Sequence, residues 1–363
     1  MPRLLLRNQR AIAGTVDARL RARLLAQRAL LLARHWRVEE LADALAHAEA
    51  AVAASADRPA LAELELARGV AQYYGAGVAG ADATLLRGLD LAREVGDAGI
   101  EAECEAWLGC VGATLQHEPA GVLVHLRRAL ALGETSRPLA AARAAYVLAT
   151  LCQEAGLIDA ATGHYRQASR IAREQHDEQL LAAIVRYMSL GQVQQVRRGQ
   201  ARGRLDVELC RQARAALLGA QRLAKALTDD EQCLQVGLRL GEIHRVGGEH
   251  EDALSAFGTH VDAAERRGMT WEAAIARADQ AVCLAATGQA GPARQAAARA
   301  SAALVQVHDA YSQALIRGSL ADVALALGES DAAAAQRAES ATWWARDTDY
   351  CERLRAALAG APA

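Results

Sequence analysis

The sequence predicts an all-α solenoid of about eight helix–turn–helix hairpins, and three observations predict it. Composition is the first. Alanine, leucine and arginine dominate, aromatic residues make up 4% of the chain and β-branched residues are sparse, which gives ample material for helices and little for strands. The second is the stretch from Leu240 to Phe257, LGEIHRVGGEHEDALSAF. Leu240 and Gly241 lie on one helix, Gly247 and Gly248 supply a turn, and Ala253, Phe257 and Val261 form an i, i+4, i+8 stripe on a second helix. A glycine at 241 and an alanine at 253 let two antiparallel helices approach closely, while Phe257 covers the seam. The third is a period of 40 residues, which separates Gly248, Gly288 and Gly328 and also spaces Asp57, Asp97 and Asp177 at the junctions between hairpins. Asp229 and Asp309 keep this second clock, but Asp177 to Asp229 is 52 residues, so one hairpin carries an insertion of about a dozen.

Residues 1–18 form a basic N-terminal cap or arm. The first 28 residues hold seven arginines against the single acid Asp17, a composition shared by organelle transit peptides and by surface helices, and a basic capping helix is expected. Unit one runs from about Arg19 to Ser55, with Ala29, Leu32, Leu41, Leu45 and Ala48 at the packing positions and Trp36 in place of the turn glycine. Units two and three, to about Gly96 and Gly133, keep the pattern at Trp107-Leu108-Gly109 and Leu126 to Leu130, on either side of a loop at His117 to Ala120. Pro119 suits the first turn of a helix, and Pro59 and Pro138 sit near the starts of theirs. Unit four repeats the offsets at Leu148, Ala149, Cys152, Gly156, Ala161, Tyr165 and Ala168.

In unit five the first helix is expected from about Glu178 to Val196, and the second resumes with Ala213, Leu217 and Ala220. Between them RRGQARGRLDVE, residues 197–208, reads as an exposed basic loop carrying the insertion. Units six to eight run regularly, so the array spans 19–347. The segment 348–363 is expected to be a capping helix, from Tyr350 to Leu358, followed by a frayed AGAPA tail.

Charge and cysteine usage narrow the function. A net charge of −2 and a pI of about 6.6 carry none of the basic surplus of a nucleic-acid-binding domain. Seven cysteines without a CxxC pair read as reduced core residues of a cytoplasmic protein. No apolar run is long enough for a membrane span or a signal-peptide core. No HExxH, no phosphate-binding glycine loop and no convergent set of acids and bases appears, so no catalytic, cofactor-binding or metal-ligating residue is assigned. Glu249-His250-Glu251-Asp252 opens a helix, where exposed N–H groups favour acids. Gly75-Ala76-Gly77 reads as a turn, and His244 as packed or solvated.

Residues 240–257 and unit four resemble tetratricopeptide repeats, in a version longer than the usual 34-residue unit. With junctions such as LAREVGDAGIEAE, the long units resemble helical sensor regions of bacterial regulators. The resemblance implies a right-handed solenoid whose first helices line a concave groove. Its groove positions are then Tyr73, Tyr74, Arg143, Tyr146, Gln153, Glu154, Glu242 and Arg245, and units four and six are expected to bring theirs together, pointing away from the helix seams. Such a groove suits a protein or peptide partner with an acidic element. Arg197, Arg198, Arg202 and Arg204 of the basic loop form a secondary candidate contact. Lys225 is the only lysine and Asn8 the only asparagine, which sets aside the tetratricopeptide clamp for chaperone C-termini.

The expected function is therefore a non-enzymatic scaffold, adaptor or regulator that binds a protein or peptide, with no cofactor, nucleic acid or membrane. No DNA-reading helix–turn–helix or cyclase-like segment follows the array. The alternative is thus a ligand-sensing region whose output lies on a partner chain or on a missing segment.

Overall fold

In the computed structural model, which describes residues 3–35, 37–75, 78–227 and 229–360, the aspartates of the 40-residue clock are helix N-caps. Asp17 precedes α2 (Ala18–Arg34), Asp57 α4 (Arg58–Tyr74), Asp97 α6 (Ala98–Thr114), Asp177 α10 (Glu178–Ala201), Asp229 α12 (Asp230–Val246) and Asp309 α16 (Ala310–Ala326). Each side chain accepts backbone N–H bonds from the first turn behind it. Each cap contributes about 1 kcal/mol and, more usefully, fixes where a helix begins. Two more helices start on the same beat without an aspartate: α8 (Pro138–Glu154), with proline at its first position, and α14 (Thr270–Ala286). Trp36, part of Gly75-Ala76-Gly77 and part of the AGAPA tail lie outside the described residues.

A second helix follows each of these eight. They are α3 (Val38–Ser55), α5 (Val78–Val95), α7 (Pro119–Ser136), α9 (Ile158–Glu174), α11 (Val207–Ala226), α13 (His250–Arg266), α15 (Ala290–Ala303) and α17 (Ser330–Ala359). Gly156, Gly248, Gly288 and Gly328 make the turn inside their hairpins at φ of 77–78°, a left-handed conformation that glycine adopts without strain. With α1 (Arg3–Gly14) packed on α2, the described residues form 17 α-helices and one short 3₁₀ turn at Leu304–Gln306, with no strand. None of these helices is long and apolar enough to cross a membrane.

The close approach that each hairpin needs is met at one register. Ala29, Gly69, Gly109, Ala149, Ser189, Gly241, Ala281 and Ala321 occupy the twelfth position of the eight first helices. A Cβ added to Gly241 would lie 2.4 Å from the Phe257 ring. One on Gly109 would lie 2.3 Å from Leu126, and one on Gly69 2.6 Å from Leu85. The small residue on the first helix and the large one on the second thus fill one space.

The chain divides into two compact units, one holding the residues up to Ile184 and from Ala357, the other Val185–Ala356. In the first unit α2, α4, α6 and α8 pack on one another in order; in the second α12, α14 and α16 do the same. The second helices α3, α5, α7, α11, α13 and α15 also touch the first helix of the next hairpin. First helices are consequently covered on most sides, and α6, α8, α12, α14 and α16 bury residues all round their circumference.

Two expectations are corrected. The insertion is not a loop over 197–208, because α10 runs on to Ala201 and α11 begins at Val207. Nothing in QQVRRGQA breaks a helix outright. Gly199 sits in its last turn, where the missing Cβ lets the Arg204 carbonyl approach to 2.7 Å from where that carbon would be. Nor is there a separate terminal helix: α17 is continuous over Ser330–Ala359, a stretch without glycine or proline, and Tyr350 and Leu354 are buried on it.

Candidate functional site

Polar residues recur inside the otherwise apolar first helices, and they are the chemistry that the fold sets aside. In the first unit Glu63, Glu103 and Arg143 hold the sixth position of α4, α6 and α8, 40 residues apart, and all three are buried. Arg137, at the head of α8, donates to both oxygens of Glu63 at 2.8 and 3.1 Å and lies 3.5 Å from Glu103. Both carboxylates of that register are thereby engaged. Arg143 instead stacks on Trp107, its guanidinium carbon 3.7 Å from the ring centroid. Tyr73 and Tyr74 meet the same indole edge-on, at 5.4 and 5.7 Å, and the Tyr73 hydroxyl lies 3.1 Å from that of Thr114. Tyr146, one turn beyond Arg143, brings its hydroxyl to 3.7 Å from the Cys110 sulfur. Desolvating a guanidinium without a carboxylate costs several kcal/mol, and a buried cation–π contact returns about 2. Elsewhere in this unit Arg34, on α2, forms an ion pair of 2.5 Å with Asp177, and Gln179 donates to the Arg34 carbonyl at 2.8 Å.

In the second unit the centre is Asp279 on α14, fully buried. It accepts from Arg197 at 2.5 and 3.1 Å and from Ser319 at 2.7 Å, and lies 3.5 Å from Arg245. Burial alone would push its carboxyl up, but the two arginines and the serine outweigh it and hold it below the ordinary range. Arg245 reaches on to Asp322 at 3.0 Å, and Arg239 pairs with Glu242 at 2.5 Å. Glu242, Glu231 and Glu272 go the other way. Burial raises all three, Glu231 to about 8, against the opposing charges of Arg239 and Arg186. Burial likewise pushes up the thiols of Cys104, Cys110, Cys152 and Cys283, the last to about 12, which leaves them as core residues and not thiolate nucleophiles.

All eight expected groove residues lie on first helices: Tyr73 and Tyr74 on α4, Arg143, Tyr146, Gln153 and Glu154 on α8, Glu242 and Arg245 on α12. The structure divides them by exposure. Tyr73, Tyr74, Gln153 and Glu154 are half-buried, and Gln153 accepts from the Tyr165 hydroxyl at 3.0 Å. Arg143, Tyr146, Glu242 and Arg245 do not point away from the seams as expected. They are at most 8% exposed, because each first helix is covered by neighbours on several sides. Of the expected basic loop, Arg197 and Arg198 are on α10 and turned inward, Arg198 onto Asp347 at 2.8 and 2.9 Å; Arg202 and Arg204 are exposed. Trp107, Asp279, Glu231 and Glu272 were missed as candidates. The recurrence of a polar residue at one position of successive apolar helices, as at 63, 103 and 143, is the signal that marks such sites.

His244, Glu249 and Asp252 place three ligand atoms within 4.8 Å of one another. His244 Nδ1 lies 2.5 Å from a Glu249 oxygen that also takes Arg214, so a cation already neutralises the carboxylate a metal would use.

No family model and no curated protein matches this chain. Its fold is that of solved structures of Rap proteins. A Rap protein complexed with competence and sporulation factor superposes with a TM-score of 0.61 at 12% identity, over 93% of this chain and 99% of that one. The Rap conjugation gene regulator of the plasmid pLS20, in complex with the Phr* peptide, gives 0.58 at 13% identity, over 81% and 76%. The apo form of RapI gives 0.53 at 11%, over 95% and 92%. Identities this low establish a shared arrangement of helical hairpins.

Proposed function

We propose that this chain is a non-enzymatic regulator or adaptor that binds a peptide, or an extended segment of a protein, along its first helices. The observation that carries the reading is the set of charged and aromatic side chains, Arg143 with Trp107 and Asp279 with Arg197 and Arg245, built into helices whose core would be more simply made of alanine and leucine. Replacing buried ion pairs with apolar residues is often neutral or stabilising, so such groups call for a role besides stability. The reading gains support from two structures of the same fold in complexes, one with the Phr* peptide and one with competence and sporulation factor. We read the array as a long-period tetratricopeptide solenoid in the cytoplasm, and the partner as carrying an acidic element. Tyr73, Tyr74, Gln153 and Glu154 are the half-buried residues a partner meets first.

The test is calorimetric titration of the full chain with pooled short synthetic peptides, acidic and basic pools separately. Saturable binding of an acidic pool, weakened at least about tenfold (1.4 kcal/mol) by Tyr74→Ala and by raised salt, is expected. Absence of binding by any pool to the folded chain overturns the reading.

A further inference from the structure

Among the described residues five arginines are buried as whole residues: Arg143, Arg197, Arg239, Arg245 and Arg277. Four of them have a carboxylate at ion-pair distance: Arg197 has Asp279, Arg239 has Glu242, Arg245 has Asp279 and Asp322, and Arg277 has Asp262 and Glu265. Among the described residues Arg143 has none. Its Nε–H is buried without an acceptor, and so is the Nε1–H of Trp107, the ring on which it stacks. Two buried N–H donors without acceptors stand in a single stack, one of them on a cation that no carboxylate contacts, the charge of Glu103 acting on it from farther off. Buried donors are ordinarily paired, and a guanidinium cannot escape burial by losing its proton.

We infer that the Arg143–Trp107 stack is a binding site for a carboxylate. A carboxylate is planar, carries one charge and accepts at two oxygens, which matches one guanidinium and one neutral indole N–H. A phosphate dianion would bury a second negative charge on the same cation. Glu103, one turn before Trp107 on α6 with an unpaired buried oxygen, would repel that charge further. Glu103 does not serve in the ligand's place, because Arg137 holds it at 3.5 Å and it lies outside ion-pair distance of Arg143. Tyr73, Tyr74 and Thr114, all half-buried, form the side of the stack nearest solvent, at the C-terminal ends of α4 and α6. The inference rests on the peptide-binding reading only for the source of the carboxylate, a peptide side chain or terminus as against a small free acid.

The experiment reads the Trp107 indole N–H by ¹H–¹⁵N NMR of the full chain, which has five tryptophans, with the peak assigned by Trp107→Phe. Sodium benzoate is titrated against benzamide, and a pool of short acidic peptides against the same pool with asparagine and glutamine in place of the acids and amidated termini. A saturable downfield shift with a carboxylate and none with its amide is expected. Arg143→Lys, which keeps the charge but loses the planar fork, weakens the response at least tenfold; Arg143→Met abolishes it. A response to the acidic pool alone assigns the carboxylate to a peptide, and a response to benzoate assigns it to a small acid. The inference is overturned by no saturable shift with either carboxylate, by equal shifts with benzoate and benzamide, or by an undiminished response in Arg143→Met. Peptide binding that persists through any of these results leaves the proposed function standing without this subsite.

Discussion

Gly241 offers a test in which the sign of the effect, and not just its size, depends on the packing described here. Alanine in place of an exposed mid-helix glycine stabilises by about 1 kcal/mol, through backbone entropy and helix propensity. Gly258, on α13, is such a position, with nothing within 4 Å of the added carbon. At Gly241 the same gain is opposed, since the new Cβ would lie 2.4, 2.7 and 2.8 Å from three carbons of the fully buried Phe257 ring. Moving that ring costs about 1–3 kcal/mol, as overpacking does elsewhere. In urea denaturation followed by the helical circular dichroism signal, Gly258→Ala should therefore raise the unfolding free energy, and Gly241→Ala should leave it unchanged or lower it by up to about 2 kcal/mol. Phe257→Leu should cost about 1 kcal/mol alone, but in combination with Gly241→Ala the two costs should fall short of their sum by about 1 kcal/mol, because the smaller side chain leaves room for the methyl. If Gly241→Ala stabilises as much as Gly258→Ala, or if the double variant is strictly additive, these two residues do not share the space assigned to them.

Three further outcomes follow from the polar residues of the second unit. Asp279→Asn leaves Arg197 buried without its carboxylate and should cost about 3–5 kcal/mol in urea denaturation, whereas Asp322→Asn, on a half-exposed partner of Arg245, should cost about 0–1; equal costs would refute the ranking. Glu231, raised to about 8 in the folded chain, holds a proton there that the unfolded chain releases near 4.5, so stability should fall as pH rises from about 5 to 8, and Glu231→Gln should flatten that slope in thermal melts at several pH values; a slope unchanged in the variant removes Glu231 as its source. Trypsin should cut first after Arg202 or Arg204, which are exposed, and spare Arg197 and Arg198; early cleavage at the latter pair, read by mass spectrometry, would contradict their place on α10.

What was legible in the sequence and what was not differ in range. The aspartate clock, the turn glycines and the Gly241–Phe257 pair are local signals: a cap is decided by the helix behind it, and a hairpin seam by residues 16 apart. Their readings carry into the helices one for one. The end of α10 was not local. Arg197 and Arg198 look like loop residues beside Gly199, yet they belong to a helix whose inward face finds Asp279, 82 residues on, and Asp347, 149 residues on. No window around residue 197 contains those partners. The same holds for the groove assignment. The offsets placed Arg143, Tyr146, Glu242 and Arg245 on first helices, but their exposure depends on how closely the neighbouring helices cover them.

Buried carboxyls and buried guanidiniums respond to burial in opposite ways, and this decides which of them needs a partner. A carboxyl in an apolar setting takes up a proton, so Glu231 and Glu272, with no basic side chain at ion-pair distance among the described residues, are relieved by titration, and Glu231 at about 8 is largely neutral at pH 7. As a neutral acid Glu231 still has acceptors to offer, and Gln235 donates to it at 3.1 Å. Nothing in that group demands a cation from outside. Arg143 has no such exit, since its guanidinium stays charged at any pH the fold survives. Trp107 gives it a π-face, which stabilises the charge without neutralising it or accepting its Nε–H. In the first unit Arg143 is thus a buried positive charge that no carboxylate reaches among the described residues, and the carboxylate proposed above is the chemistry that would meet it.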